Sequence, residues 1–248
     1  RVVLSLAQAL SQLNHKVDVI TFDDKNNTDF NNFKFHIHNI KREKHPIRYI
    51  QDKKNAQSLV NKITEIGGNF DLIVSNMIET NRICKQTKIP GIYYCIHNTI
   101  SAFINTHANK KRGLSKLRRK IQYSFLIKRL YKNQKLIAVS KGVEKDLIKF
   151  GIQPKNIQTI YNPFDFNDIK IQSESHPVKE QDYIIHIGRF SEEKRHDILI
   201  KAYEKSSVKQ KLLLLGNDNE GTANEIKELV INLNLQNICF DISWILMS

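Results

Sequence analysis

Short apolar stretches of strand length alternate with stretches of helical periodicity along almost the whole chain, and this alternation limits the fold more than any other feature. A strand, a helix and a further strand favour a crossover connection, which joins parallel strands. Parallel sheets are covered by helices on both faces, so their strands are apolar throughout. The pattern therefore predicts an α/β fold built on parallel sheets.

The predicted elements follow one another from residue 2 to residue 240. Helices are expected at residues 2–13, 50–66, 79–88, 114–131, 141–150, 194–205 and 220–234. Strands are expected at residues 17–21, 33–37, 71–75, 92–96, 135–139, 157–161, 183–187, 211–215 and 237–240. Ligands of such sheets bind at the carboxyl ends of strands, where His97, Ser140 and Asn162 stand. We assign Ser140 to a helix cap and Asn162 to a turn, which leaves His97 as a candidate site residue.

The rhythm of strands and helices breaks over residues 164–181, which are polar and contain Ser173, Ser175 and Pro177. Such a stretch is typical of a loop-like linker between domains. We therefore expect a first domain at residues 1–163, a linker at 164–181 and a second domain at 182–248. The total of 248 residues is sufficient for two small domains.

The net charge of +14 and the isoelectric point near 9.6 predict an anionic partner, such as nucleic acid, a membrane surface or a phosphorylated ligand. Three cysteines lie far apart without metal-ligand or C-x-x-C spacing, which favours reduced thiols in the cytoplasm. No apolar run reaches the length of a membrane span.

Much of the positive charge is concentrated between Glu79 and Glu144, where no acidic residue occurs. A patch of seven cations within this stretch comprises Lys110, Lys111, Arg112, Lys116, Arg118, Arg119 and Lys120. A stripe of apolar residues interleaves with the basic ones: Leu114, Leu117, Ile121, Phe125, Ile127 and Leu130. A basic helix with an apolar stripe suits an anionic membrane surface.

The alternative is a helix that the same stripe packs on its own domain, with a solvated basic rim. We expect both: the stripe packs on its own domain while the cations face a membrane or a lipid-linked acceptor. Nucleic acid fits the charge alone, but no helix-turn-helix, zinc or aromatic RNA-binding pattern accompanies it, so no nucleic acid is expected.

A second group of cations follows the predicted strand at residues 183–187. Gly188 lets the backbone approach a ligand closely, Arg189 offers a planar fork to phosphate oxygens, and Lys194 adds a compact charge. The start of the next helix adds its positive end, so the segment suits a diphosphate. The alternative is a salt-bridged surface turn in which Glu192 and Glu193 neutralise the cations.

The segment Ile187–Asp197 resembles the donor-side signature of the retaining GT-B family that includes sucrose synthases and bacterial lipopolysaccharide and capsule transferases, the glycosyl transferases of group 1. Further segments resemble that family in the same order along the chain. They are residues 1–4 with 15–21, 138–140 with Asp146 and Leu147, 160–165, and 212–216.

The resemblance implies a GT-B fold of two Rossmann-like domains, the second incomplete. It implies transfer of a sugar from a nucleotide diphosphate sugar to a carbohydrate or lipid-linked acceptor with retention, in surface polysaccharide or lipopolysaccharide synthesis. Gly188, Arg189 and Lys194 would bind the donor diphosphate, Gly216 would line the nucleotide pocket, and His97 would act on the acceptor side. At that strand end His97 could equally be a structural residue. No metal or other cofactor is expected. The expected location is the cytoplasm, and it includes peripheral attachment to the inner face of the cytoplasmic membrane.

Compared with members of that family, the chain begins after the family's first strand and glycine-rich loop and ends before the family's E-x7-E segment. We therefore expect an inactive fragment. Residues 241–248 do not resemble the family, which suggests a frameshift in the reading frame after Phe240. The competing hypothesis is a basic protein without catalysis that binds membrane or nucleic acid, and a GT-B-shaped epimerase is a third.

Overall fold

The computed structural model describes residues 2–22, 34–109, 111–175, 182–218, 221–235 and 237–241. They divide into two compact units, Arg1–Phe166 and Asn167–Ser248. Each unit is built on parallel strands, as the alternating pattern predicts. The end of the chain at residues 242–248, to which the frameshift hypothesis applies, lies outside the described residues.

The first unit contains two parallel sheets. One pairs β1 (Asp18–Thr21) with β2 (His36–Asn39). The other has four strands in sequential order: β3 (Val74–Asn76), β4 (Tyr93–Ile96), β5 (Lys135–Ala138) and β6 (Asn156–Thr159). The helices of this unit are α1 (Val2–Gln12), α2 (Arg48–Glu65), α3 (Ile78–Thr87), α4 (Ile100–Asn109), α5 (Gly113–Tyr131) and α6 (Lys141–Lys149).

The core of the first unit lies between the four-stranded sheet and its helices. Leu136 and Ala138 of β5 are completely buried and share one cluster with Ile104 of α4 and Leu147 of α6. Because side chains two residues apart on a strand point to the same face, this face of β5 is the one that the core covers. The helix α6 begins at Ser140, whose Oγ accepts a hydrogen bond from Val143 N, so the predicted cap is confirmed.

A buried polar network ties the end of β3 to two helices. The carboxamide of Asn81 on α3 lies 2.7 Å from Ser75 Oγ and 3.0 Å from the hydroxyl of Tyr131 at the end of α5. The orientation that satisfies most partners points its nitrogen at Ser75 Oγ and at the carbonyl oxygens of Ser75 and Met77, and lets Tyr131 donate to its oxygen. Asn81 and Tyr131 are fully buried, so the Tyr131 hydroxyl and the Asn81 carboxamide oxygen depend on each other for a hydrogen bond, while Ser75 and Met77 hold the Asn81 nitrogen.

The second unit has one sheet of three parallel strands in sequential order: β7 (Tyr183–Ile187), β8 (Lys211–Leu215) and β9 (Ile238–Asp241). Its helices are α8 (His196–Glu204) and α9 (Ala223–Asn232), and a short 3-10 turn covers Glu192–Lys194. Leu212 and Leu214 of β8 are completely buried against the helices. On the other face Ile187 of β7 is 74% exposed, so no described residue covers that end of the sheet.

Two helices were not expected from the sequence. The region 164–181, predicted as a loop-like linker, contains α7 (Phe166–Ser175). Ile169 and Ile171 of this helix are more than half exposed, so the sequence lacks the periodic apolar face from which a helix is predicted. Helix α4 buries Ile100, Ile104 and Ala108 at intervals of four, but polar residues between them weaken the pattern. No described helix combines the length and the apolar character that a membrane span needs.

The Asn81 network gives the first testable prediction. Tyr131→Phe removes a buried hydroxyl and leaves the oxygen of the Asn81 carboxamide without a donor, which should lower the free energy of unfolding by about 1–3 kcal/mol. Amide hydrogen exchange in β4 and β5 would report the opening of this unit alone.

The control is Tyr123→Phe in the same helix, whose half-buried ring packs on Phe103 and His107 outside the network. It should change stability by less than about 0.5 kcal/mol. Equal effects of the two substitutions would contradict the importance of the network.

Candidate active site

In the second unit, backbone hydrogen bonds connect the loops that follow the carboxyl ends of β7 and β8. Gly188 N donates a hydrogen bond to Leu215 O at 2.8 Å, and Phe190 N donates to Asn217 O at 2.8 Å. A Cβ atom on Gly216 would lie 1.9 Å from Gly188 O, so no other residue fits at position 216. The two glycines predicted for the donor site therefore lie in contact at the carboxyl edge of the sheet.

The two candidate phosphate-binding cations lie beside this glycine contact. A Cβ atom on Gly188 would lie 3.5 Å from Cγ and Cδ of Lys194, so the lysine stem runs alongside Gly188, next to Arg189. Both cations are exposed. The exposed positions leave their charges accessible to an anion in solution.

A salt bridge does form in this segment, but not between the glutamates Glu192 and Glu193 and the two candidate cations. Arg195 makes a bidentate pair with Asp197, with both nitrogen–oxygen distances at 2.9 Å, and this pair lowers the pKa of Asp197 to about 2. Among the described residues, neither Arg189 nor Lys194 pairs with a carboxylate. Arg195 has a positive φ of 49°, so the helix α8 starts at His196, two residues later than the predicted start at Lys194.

Three aromatic rings support the loop that carries these cations. The ring of His196, only 2% exposed, stacks on Phe190 at 4.7 Å and meets His186 edge-on at 4.8 Å. Burial lowers the pKa of His196, so the ring is neutral at neutral pH. The packing role of His186 and His196 was not predicted from the sequence. One feature of the sequence could have indicated this role: His186 stands on the strand two residues before Gly188, so both face the same side of the sheet.

In the first unit, His97 follows the last residue of β4 at the carboxyl edge of the sheet. It is half-buried, and its Nε2 lies 2.9 Å from Oδ1 of Asn76, the last residue of β3. Burial lowers the pKa of His97, which favours the neutral imidazole. The structure thus adds Asn76, a residue that the sequence analysis did not select.

The basic patch lies at the start of α5 and just before it. Six of its seven cations are described, and Lys110 lies outside the described residues. Arg119 is half-buried with its guanidinium 5.9 Å from the centre of the Tyr123 ring, whereas Lys111, Arg112, Lys116, Arg118 and Lys120 are exposed. Side chains on all sides of the first turns of this helix are therefore accessible.

The expectation that the apolar stripe of α5 packs on its own domain is wrong for most of its members. Ile127 and Leu130 are buried, but Leu114 is 85% exposed, and Leu117, Ile121 and Phe125 are 55–65% exposed. At 3.6 residues per turn, the exposed four lie on the face opposite to Ile127 and Leu130. The sequence pattern had combined two opposite faces of one helix into a single stripe.

Within the described part of the chain, no three His, Cys, Asp or Glu side chains gather as a metal-binding group would. The Asp218 carboxylate, in the polar loop after β8, instead accepts a hydrogen bond from Thr222 N at 2.8 Å just before α9. That contact is typical of a loop that leads into a helix.

Two family models together match almost the whole chain. Residues 1–168 match the model described as Glycosyltransferase Family 4, and residues 168–244 match Glycosyl transferases group 1. A relative from Campylobacter jejuni is 28% identical over 173 residues, which are 68% of this chain and 41% of the relative. Its name is N-acetylgalactosamine-N,N'-diacetylbacillosaminyl-diphospho-undecaprenol 4-alpha-N-acetylgalactosaminyltransferase.

Solved glycosyltransferase structures share the fold. HepE of Anabaena, crystallised with UDP and glucose, is 18% identical with a TM-score of 0.63, over 96% of this chain and 64% of HepE. A glycosyltransferase of Rickettsia africae is 18% identical with a TM-score of 0.60, over 97% of this chain and 63% of that protein. The predicted α/β fold of GT-B type with parallel sheets is confirmed. The chain spans less than two thirds of the length of each of these proteins.

The contact between the two glycines gives the second prediction. Gly216→Ala places a methyl group against the carbonyl of Gly188, so one of the two loops must move, at a cost of about 3 kcal/mol or more. Gly188→Ala is the matched control, because its methyl group would meet neighbours only at ordinary distances of 3.4–3.5 Å. Hydrogen exchange of the β7 and β8 amides measures both, and an alanine at position 216 without effect would contradict the close packing.

Proposed function

We propose, on the premise that this chain belongs to glycosyltransferase family 4, that the protein transfers a sugar from a nucleotide diphosphate sugar to a carbohydrate or lipid-linked acceptor with retention of configuration. The observation that carries the proposal is the pair of exposed cations, Arg189 and Lys194, beside the Gly188–Gly216 contact. Surface polysaccharide or lipopolysaccharide synthesis is the process that such a transfer serves.

The chemistry needs positive charge at the leaving group. As the bond between the anomeric carbon and the diphosphate oxygen breaks, negative charge grows on the diphosphate, while the acceptor hydroxyl oxygen bonds to the anomeric carbon and passes its proton to an oxygen of the released diphosphate. Arg189 can bind two phosphate oxygens at once, and Lys194 adds a point charge. Groups that meet charge developed in the transition state contribute most to the rate. These side chains supply that charge in our proposal, which needs no metal ion.

The other site residues have complementary roles in this proposal. Gly216 lines the nucleotide pocket, because the strand end that it follows is joined to the phosphate-binding loop. His97 contacts the acceptor from its own strand end as a neutral ring. HepE of Anabaena, with UDP and glucose bound, supports a uridine nucleotide as the first donor to test.

The second part of the proposal concerns the acceptor. The Campylobacter jejuni relative is named for an acceptor linked through a diphosphate to undecaprenol, a lipid. A lipid-linked acceptor must be reached at a membrane surface. In this chain, the start of α5 offers four exposed apolar residues on one face together with exposed cations, the combination that an anionic bilayer surface binds. We place the protein at the inner face of the cytoplasmic membrane by this helix.

Binding of nucleic acid by a protein without catalysis is the competing function. It would use the same net charge of +14, since phosphate contacts dominate such binding. The exposed stripe favours the membrane, because apolar residues such as Leu114 and Ile121 gain nothing from a phosphate backbone, whereas insertion into a bilayer surface removes them from water.

The third prediction tests the donor site. Arg189→Ala should weaken the binding of UDP about 10–100-fold, because a charge-assisted hydrogen bond contributes about 1.5–3 kcal/mol. Calorimetric titration with UDP, GDP and ADP measures the affinities and identifies the base. In a transfer assay with a lipid-diphosphate acceptor, performed on a version of the protein extended to the full length of its relatives, the same substitution should lower kcat/KM by roughly 10²–10³.

The matched control is Arg195→Ala, which removes an exposed arginine from the same loop. Arg195 is engaged with Asp197, so its loss should change UDP affinity by no more than about twofold. If Arg189→Ala and wild type bind UDP equally, Arg189 has no part in donor binding.

The fourth prediction tests the membrane surface. The double substitution Leu117→Ser and Phe125→Ser should reduce co-sedimentation with phosphatidylglycerol-containing vesicles about tenfold or more, because each side chain contributes about 1.5–3 kcal/mol when buried. Arg118→Gln with Lys120→Gln should weaken binding by about 1 kcal/mol per charge and reduce its salt dependence.

Ile231→Ser in α9 serves as the control, since Ile231 is 70% exposed in the other unit and should not matter. Duplex DNA is titrated in parallel at several salt concentrations. Tight, steeply salt-dependent DNA binding with no binding to vesicles would reject the membrane proposal in favour of the competing function.

A further inference from the structure

The hydrogen bond between His97 and Asn76 determines where the imidazole carries its proton. His97 Nε2 lies 2.9 Å from Asn76 Oδ1. With the Asn76 carboxamide oxygen facing the ring, Nε2 is the protonated nitrogen, because an amide oxygen only accepts hydrogen bonds. The lone pair of the neutral ring is then on Nδ1, for which the described part of the chain offers no hydrogen-bond partner.

The backbone around Asn76 holds its carboxamide in place. Asn76 is the last residue of β3 and stands opposite Cys95 in the register with β4, and Cys95 precedes His97 by two residues. Directly after it, Met77 has a positive φ of 73°, and its carbonyl accepts a hydrogen bond from Asn81 N at 2.9 Å. The chain therefore turns sharply from strand to helix immediately behind Asn76.

The residue before Asn76 fixes the strand from the opposite face. Ser75 is only 3% exposed, and its Oγ lies 2.7 Å from the buried Asn81 carboxamide, which also meets Tyr131. Successive side chains of a strand point to opposite faces, so Ser75 anchors the strand in the core while Asn76 is free to serve His97. Asn76 makes no other hydrogen bond to a described side chain.

We infer that Asn76 is a positioning residue of the candidate site: it holds His97 as the Nε2–H tautomer and presents the unprotonated Nδ1 to a hydroxyl group of a bound sugar or acceptor. The choice of a sugar hydroxyl as the ligand rests on the proposed function. The tautomer is a property of the free protein and is measurable without any substrate.

Nuclear magnetic resonance of the full chain, with histidine labelled by nitrogen-15, tests the inference. Long-range correlations between ring nitrogens and carbon-bound protons identify the protonated nitrogen of each histidine, and His97→Gln identifies the signals of His97. His107 is an internal reference, because its Nδ1 lies 2.9 Å from the Phe103 carbonyl oxygen and must carry the proton. His97 should show Nε2–H and His107 should show Nδ1–H in the same spectrum.

Two substitutions separate positioning from a purely structural role. Asn76→Ala should leave His97 as a mixture of both tautomers while His107 stays unchanged. Asn76→Asp should keep Nε2–H and raise the pKa of His97 by roughly one to two units, because a carboxylate beside the ring favours its charged form. A structural Asn76 would alter stability and leave the tautomer as it is.

The wild-type spectrum decides the matter even if a variant fails to fold. A protonated Nδ1 on His97, or rapid exchange between both forms, overturns the inference, as does an unchanged tautomer in folded Asn76→Ala. The UDP titration of Arg189→Ala is independent of this measurement. A tautomer as expected with unaltered UDP binding would remove the donor site and retain the role of Asn76.

Discussion

Parallel pairing of the strands determines where chemistry can occur in this chain. Every described strand runs parallel to its neighbour, so each connection returns across the sheet and all carboxyl ends of a sheet emerge at one edge. In the first unit this edge brings Asn76 and His97 within hydrogen-bonding distance. In the second it brings Gly188 into contact with Gly216, so that a loop with two cations is held against the end of the neighbouring strand.

The strands were predictable wherever the chain is continuously apolar. The strands β7 and β8 have the bounds that their apolar runs predict, because both are paired along their whole length. The strand β3 is shorter than predicted and begins at Val74, since Leu72 is more than half exposed and lies outside the pairing. Helix α7 could not be found from periodicity, because its apolar residues do not share a buried face.

The candidate site was predictable only as far as local motifs reach. Arg189 and Lys194 follow a strand and precede a helix, a pattern that a linear sequence shows directly. The packing of His196 against Phe190 and His186 arises when a helix folds back on a strand, and the contact of Asn76 with His97 arises between neighbouring strands. On α5, periodicity identified the apolar residues but not which of two opposite faces the core would cover.

The contact between Gly216 and the carbonyl of Gly188 also limits how the sequence can change over evolutionary time. Position 216 accepts no side chain while the preceding loop keeps its course, whereas position 188 has room for a methyl group. A variant at 216 could therefore persist only after the loop that carries Arg189 had already shifted. A substitution at position 216 must thus follow a shift of the loop, whereas a small residue at position 188 requires no such shift.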